Sequence, residues 1–293
     1  MSQGLPREPS KPKEPILPKH ARVGFQGERG AFSEVAAEKL SPGASERIAL
    51  PSFPELFRAL AGHKIDYATV PIENTLAGSV HENYDLLLRH RLPILAETSV
   101  RIVHNLIVRP GVALRSVRKV YSHPVALQQC RRLLEQHRRW EVVPFYDTAG
   151  SVKMILERGL TDSAAIASKV AASIYGGRIL VRDIGDDPEN YTRFFLLGRR
   201  RLDRPQSAGT KTSIVFATKN LPGALFRCLS VFALRDINLT KIESRPLRGR
   251  PWEYLFYLDF QGNPASSPAR NALKNLAEIT EFLRVLGCYS TVP

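Results

Sequence analysis

Cysteine is scarce in this 293-residue chain: only Cys130, Cys228 and Cys288, far apart and with no C-x-x-C spacing. That excludes a disulfide framework and a zinc site, and it points to a reducing compartment, the cytoplasm. No run approaches the roughly 18 uninterrupted apolar residues of a membrane span, and no charged-then-apolar leader marks a secretory signal. Acidic residues are outnumbered, 28 Asp and Glu against 42 Lys and Arg, for a net charge of +14. A field of that sign favours anionic ligands. The excess is scattered over the N-terminal stretch, Arg131-Arg132 with Arg138-Arg139, and Arg199-Arg200-Arg201. No aromatics are interleaved as a base-stacking platform requires, so nucleic acid is not an expected partner.

Prolines at 6, 9, 12, 15 and 18 keep a period of three, which fits polyproline II and forbids helix. Residues 1–20 therefore read as a disordered basic tail. From Arg22 the chain alternates strands, polar turns and helices. Arg22–Gln26 is a strand running into a Gly-rich turn, and Ala31–Leu40 a helix. The glycine spacing there matches neither a P-loop nor a dinucleotide fingerprint. Phe53–Leu60 is a helix with Ser52 as N-cap, and Tyr67–Ile72 a buried strand ending in the polar turn Glu73–Ser79. Val100–Val108 crosses to a second half. That half repeats the rhythm: a strand into Ser122-His123-Pro124, a helix from Val125 to about His137, then the turn at Asp147-Thr148-Ala149 opening another helix. Parallel α/β halves in this rhythm predict two lobes with a ligand cleft between them. The run Asn190–Leu197 sets Thr192 and Arg193 at the mouth of a buried strand, where a hydroxyl and a guanidinium could serve one cleft. The residues alone equally fit a strand-forming threonine and a solvated arginine. Residues 200–211 read as a linker. Beyond them, 212–293 follow the order β-α-β-β-α-β of a ferredoxin-like unit.

Residues 22–293 resemble the prephenate dehydratases with their C-terminal ACT regulatory domain. The resemblance rests on Gly30–Glu34, Pro71–Thr75 with Gly78-Ser79, Asn83–Leu87, Ser122-His123-Pro124 with Gln129-Cys130, Asp147–Gly150, Ala165–Ser168 and Thr192-Arg193-Phe194. It implies a two-lobed, periplasmic-binding-protein-like catalytic domain over 21–199 and a ferredoxin-like ACT domain over 212–293. It also implies a cofactor-free lyase that dehydrates and decarboxylates prephenate to phenylpyruvate, CO2 and water in L-phenylalanine biosynthesis. By the same match, Thr192 is the catalytic hydrogen-bond partner of the leaving hydroxyl and Arg193 a carboxylate clamp beside the apolar wall of Phe194. Glu73, Asn74, Ser79, Ser122, Gln129, Asp147, Thr148 and Ala149 would contact the substrate. Pro222 with Gly223, Ala224 and Leu225, and Glu243, Ser244, Arg245 and Pro246, resemble the motifs at which such enzymes sense L-phenylalanine between paired ACT domains, in a dimer or tetramer. Arogenate, converted directly to L-phenylalanine, is the alternative substrate. A two-lobed small-molecule binding protein is the non-enzymatic alternative.

Overall fold

The computed structural model describes residues 17–292 except 19, 44–45, 202–209, 248 and 250–251. Most of the predicted tail and linker lies outside the described residues. Leu17, Pro18 and His20 of that tail are described, and Leu17 is 5% exposed in a core with Ala36, Ala37 and Leu40.

The first lobe comprises β1 (Arg22–Gln26), α1 (Phe32–Leu40), β2 (Glu46–Leu50), α2 (Phe53–Ala61), β3 (Tyr67–Asn74), β4 (Gly78–Ser79), α3 (His81–His90) and β5 (Ile94–Arg101). The second comprises β6 (Asn105–Val108), β7 (Lys119–Ser122), α4 (Pro124–Gln128), α5 (Arg131–Gln136), β8 (Glu141–Pro144), α6 (Thr148–Glu157), β9 (Ser163–Ala167), α7 (Lys169–Tyr175) and β10 (Arg178–Val181). The chain then returns to the first lobe as β11 (Tyr191–Gly198), antiparallel between β3 and β5. The second lobe has its own five-stranded sheet, β10-β6-β9-β7-β8. Two segments join the lobes, 102–104 outward and 182–190 back.

Local chemistry sets many boundaries. Ser52 caps α2 by accepting from Glu55 N, and Asp147 caps α6 by accepting from Gly150 N. The single helix expected from Val125 to His137 is instead two, α4 and α5. The returning segment breaks it: Asp186 N donates to Gln129 O, and the Asp186 carboxylate accepts from Arg131 N and Arg132 N.

The C-terminal unit is β12 (Thr210–Ala217), α8 (Ala224–Ala233), β13 (Leu239–Pro246), β14 (Tyr254–Gln261), α9 (Ser267–Ile279) and β15 (Phe282–Val292). Its strand order, β13-β14-β12-β15, is ferredoxin-like. β15 also pairs in parallel with β5 through Ser290–Val292, so that the two sheets run on as one. Gly287 is required there, because a Cβ would collide with the Ile94 backbone. Phe256, Leu258 and Phe260 of β14 face α8 and α9. Leu255 and Tyr257 face the first lobe, in one core with Tyr84, Leu87 and Phe195. Tyr257 packs against Tyr84 with ring centroids 4.6 Å apart at a tilt of 51° and donates from its hydroxyl to Tyr84 O. Each such buried aromatic contributes roughly 1.5–3 kcal/mol, so the C-terminal unit is welded to the first lobe.

Candidate active site

Between the lobes lies a cleft of about 410 Å³. Its first-lobe wall includes Phe32, Ser33, Asn74, Ser79 and Thr192, and its second-lobe wall His123, Gln129, Asp147 and Thr148. His104, on the outward crossing, also lines it. The lobes meet closely at one rim. Ser168 Oγ donates to Gly30 O at 2.7 Å, and Gly30 has a φ of +87° with Ala171 so near that a Cβ would sit 2.6 Å from its Cα. Lys153 of the second lobe pairs with Glu28 of the first at 3.0 Å. Two helices of the cleft wall, α1 and α6, point their N-termini inward through Ala31–Ser33 and Asp147-Thr148. Free first-turn N–H groups at such ends attract anions.

Asn74 is the hub of the polar wall. Its Nδ2 donates to Thr192 Oγ1 at 2.9 Å, to Asn190 Oδ1 at 2.7 Å and to Tyr191 O at 3.0 Å. Its Oδ1 accepts from Leu76 N, Ala77 N and Gln129 Nε2. Gln129 Oε1 in turn accepts from Asn190 Nδ2 at 2.9 Å and meets His104 Nε2 at 3.0 Å. Thr192 is 9% exposed. Among the described residues lining the cleft there is no lysine or arginine, and Asp147 is the one carboxylate. Burial raises the pKa of Asp147 above its ordinary value, against the opposing pull of the Gly150, Glu28 and Ala149 N–H groups. Burial lowers that of His104, which favours its neutral form.

The structure thus gathers Thr192, Asn74, Ser79, Gln129, Asp147 and Thr148 in one place, and sets the other expected residues elsewhere. Arg193 is the main correction. Side chains alternate along β11, so Arg193 points away from the cleft that Thr192 lines. Its guanidinium donates to Glu97 Oε2 and Asp259 Oδ2, both at 2.6 Å, and to the Tyr289 hydroxyl at 3.1 Å. Burial alone would lower its pKa; Asp259, Tyr289 and Glu97 more than offset this and raise it. Phe194 is 2% exposed and packs under α1 with Ala36, Ala37 and Leu40. Glu73 lies on the Arg193 side, its carboxylate 2.8 Å from Lys241 Nζ. Ser122 is fully buried and donates to Ile166 O. Ala149 is core.

Of the C-terminal residues, Glu243 accepts from Ser79 Oγ at 2.7 Å and Arg245 pairs with Asp85 at 3.4 Å. Ser244 and Pro246 are exposed on the other face of β13. Gly223, at φ +73°, precedes α8. Its neighbours Pro222 and Ala224 line a separate hollow of about 730 Å³ with Lys219, Arg227 and Glu278–Glu281, while Leu225 packs against the C-terminal core. None of Glu243, Ser244, Arg245 and Pro246 lines that hollow. Sequence reading passed over His104 and Asn190 as site residues. Asn190 adjoins Thr192, and His104 falls in the crossing segment itself; both positions were visible signals.

A cleft between two α/β lobes, lined mostly by neutral polar and apolar side chains, is a site for a small molecule. The chain belongs to the prephenate dehydratase family, whose model matches residues 23–202. It is 48% identical over 278 residues, 92% of this chain and 72% of the other, to arogenate dehydratase/prephenate dehydratase 2, chloroplastic, of Arabidopsis thaliana. Among solved structures, prephenate dehydratase from Arthrobacter aurescens in complex with L-Phe superposes with a TM-score of 0.84 at 33% identity, covering 92% of this chain and 90% of that one. A structure described as GqqA, a novel type of quorum quenching acylase, has a TM-score of 0.85 at 33% identity, covering 93% and 98%. The chain is accordingly a dehydratase of phenylalanine biosynthesis.

Proposed function

We propose that the substrate is prephenate, which loses its ring carboxylate as CO2 and its 4-hydroxyl as water to give phenylpyruvate. The electron pair of the breaking carbon–carboxylate bond completes the aromatic ring. The pair of the breaking carbon–oxygen bond leaves with oxygen, and a proton from solvent makes that oxygen water. The observation that carries the reading is Thr192 Oγ1 on the cleft wall, already accepting from Asn74 Nδ2, which leaves its hydrogen for a departing hydroxyl. The absence of lysine and arginine among the described residues lining the cleft supports it as well. A guanidinium on the ring carboxylate would stabilise the ground state more than a transition state in which that charge has moved away. Neutral hydroxyls and the N-terminus of α1 orient the acid groups instead.

Arogenate is the second reading, favoured by the name of the Arabidopsis relative. It undergoes the same elimination and needs the same Thr192. Purified protein supplied with each substrate separates the two: phenylpyruvate absorbance in alkali from prephenate supports the first, and L-phenylalanine from arogenate alone supports the second. Thr192→Ala lowers turnover by about 10²–10³ in either case. Silence of the wild-type protein on both overturns the enzyme reading and leaves a binding protein.

We further propose that the C-terminal unit is an ACT domain sensing L-phenylalanine in a homo-oligomer, dimer or tetramer. The Glu243–Ser79 bond supports it, since it ties β13 to the rim of the cleft. Because the Gly223 and Glu243 motifs sit apart in one chain, a shared effector site needs a second copy. Calorimetry detecting no phenylalanine binding, or Gly223→Asp leaving inhibition intact, overturns this part.

A further inference from the structure

Amide groups are ambiguous in isolation, because oxygen and nitrogen can be exchanged by a flip. Here the backbone removes the ambiguity. Leu76 N and Ala77 N can only donate, and both reach the same atom of Asn74, at 3.1 and 2.8 Å. That atom must be Oδ1. Gln129 approaches it at 3.2 Å and so presents its NH2. Gln129 Oε1 then faces the other way, between Asn190 Nδ2 and His104 Nε2. Asn190 is fixed too, since its Oδ1 accepts from Asn74 Nδ2. An oxygen with no hydrogen can only accept, so His104 Nε2 must carry one.

We infer that His104 is a positioning residue: as the Nε2–H tautomer it donates to Gln129 Oε1 and, through Gln129 and Asn74, holds the Thr192 hydroxyl with its hydrogen turned into the cleft. The consequence for Thr192 rests on the dehydratase reading above; the tautomer does not. The opposite tautomer would set the lone pairs of Nε2 and Gln129 Oε1 against each other. It would also bury a donor at Nδ1, which has no partner among the described residues. His104 is 2% exposed, with its ring edge-on to Phe32 at 5.7 Å, so solvent does not supply a substitute donor. The chain also runs one way only. Each link ends on an amide NH2 that donates and cannot accept, so no base can draw the proton of Thr192 away through it. Thr192 therefore acts as a neutral hydrogen-bond donor, never as an alkoxide made by relay.

Two measurements on the full-length protein test this. Imidazole 15N–1H correlation spectra at pH 7 are expected to show His104 neutral with the hydrogen on Nε2; an Nδ1–H tautomer or an imidazolium overturns the inference whatever the enzyme turns over. On whichever substrate the wild type converts, His104→Leu is expected to lower kcat by about tenfold to a hundredfold, the loss that follows from an unpartnered buried acceptor, with KM within about threefold. His104→Gln, which restores a donor near the Nε2 position, is expected to recover most of it. In a Thr192→Ala background His104→Leu is expected to cost little more. Equal damage from Gln and Leu, or full additivity with Thr192→Ala, overturns the positioning role. If His104→Leu does not fold, the spectrum and the Gln variant decide. Failure of the wild type on both substrates would instead overturn the dehydratase reading, while the spectrum still tests the polarity of the chain.

Discussion

Thr192 and Arg193 are adjacent in sequence and occupy two different electrostatic worlds. On one face of β11, Thr192 ends a network of amides and one imidazole in a cleft lined by no lysine or arginine among the described residues. On the other, Arg193 is the centre of a charged cluster with Glu97 and Asp259; Lys211 joins it through Glu97 at 2.6 Å. The two faces do different work. The neutral face can aim one hydrogen at a ligand without a countercharge competing for that ligand's carboxylates. The charged face binds strands of the C-terminal unit to β5 and β11, with Thr291 adding a bond to Glu97. A single strand thus separates the group that acts from the group that holds.

The largest expected effect comes from breaking the holding side. Arg193→Met leaves Glu97 and Asp259 buried without their common partner. Removing one member of a buried ion pair costs about 3–5 kcal/mol, so urea unfolding should register a loss of that order. If stability falls by less than about 1 kcal/mol, on the scale of an exposed pair, the cluster is not holding the units together. Thr192→Val tests the acting side. Removing a donor of this kind costs about 10²–10³ in kcat, whereas Asn74 keeps Asn190 and the Tyr191 carbonyl as acceptors. Stability should therefore stay within about 1 kcal/mol of wild type, the small class of effects expected when no cavity or charge is left behind. Valine retaining most of the activity would remove Thr192 from the chemistry.

How legible these two faces were in the sequence follows from the range of the signals. The lobes, the crossing at 100–108 and the C-terminal β-α-β-β-α-β order come from local periodicity and turn chemistry, and the structure repeats them. The cleft residues Asn74, Gln129, Asp147 and Thr148 sit at strand ends or helix starts, where position in the motif fixes position in the fold. Arg193 was misassigned because a family motif was read as a contiguous unit; Phe194, two residues from Thr192, shares its face of β11 but is buried beneath α1 instead of lining the cleft. Strand alternation by itself says that neighbours cannot share a face. The break between α4 and α5 was not legible, since its cause is Asp186, more than fifty residues away. Nor was the merging of the two sheets through β15, which depends on parallel pairing of distant strands.

The smallest effect sharpens the comparison through pH. Glu97 and Asp147 are both buried carboxylates, yet their neighbours push them in opposite directions. Burial alone would lift Glu97, but Arg193 and Lys211 hold it below the ordinary value. Burial does lift Asp147, whose compensating partners are backbone N–H groups rather than cations. The signs follow from proton binding. Glu97 contributes stability that is present above its unfolded value near 4.5 and is lost as pH falls through its lower folded value. Asp147 imposes a cost when ionised, and that cost is relieved as pH falls through its raised folded value toward the unfolded one near 3.8. Acid therefore loosens the junction with the C-terminal unit while easing strain at the cleft. Carboxyl 13C titration reads both directly: Glu97 is expected to titrate below 4.5 and Asp147 above 3.8. Arg193→Met should move the Glu97 midpoint upward and leave that of Asp147 in place. Joint movement of the two midpoints would mean that β11 does not insulate its faces, and that the charged cluster reaches the cleft.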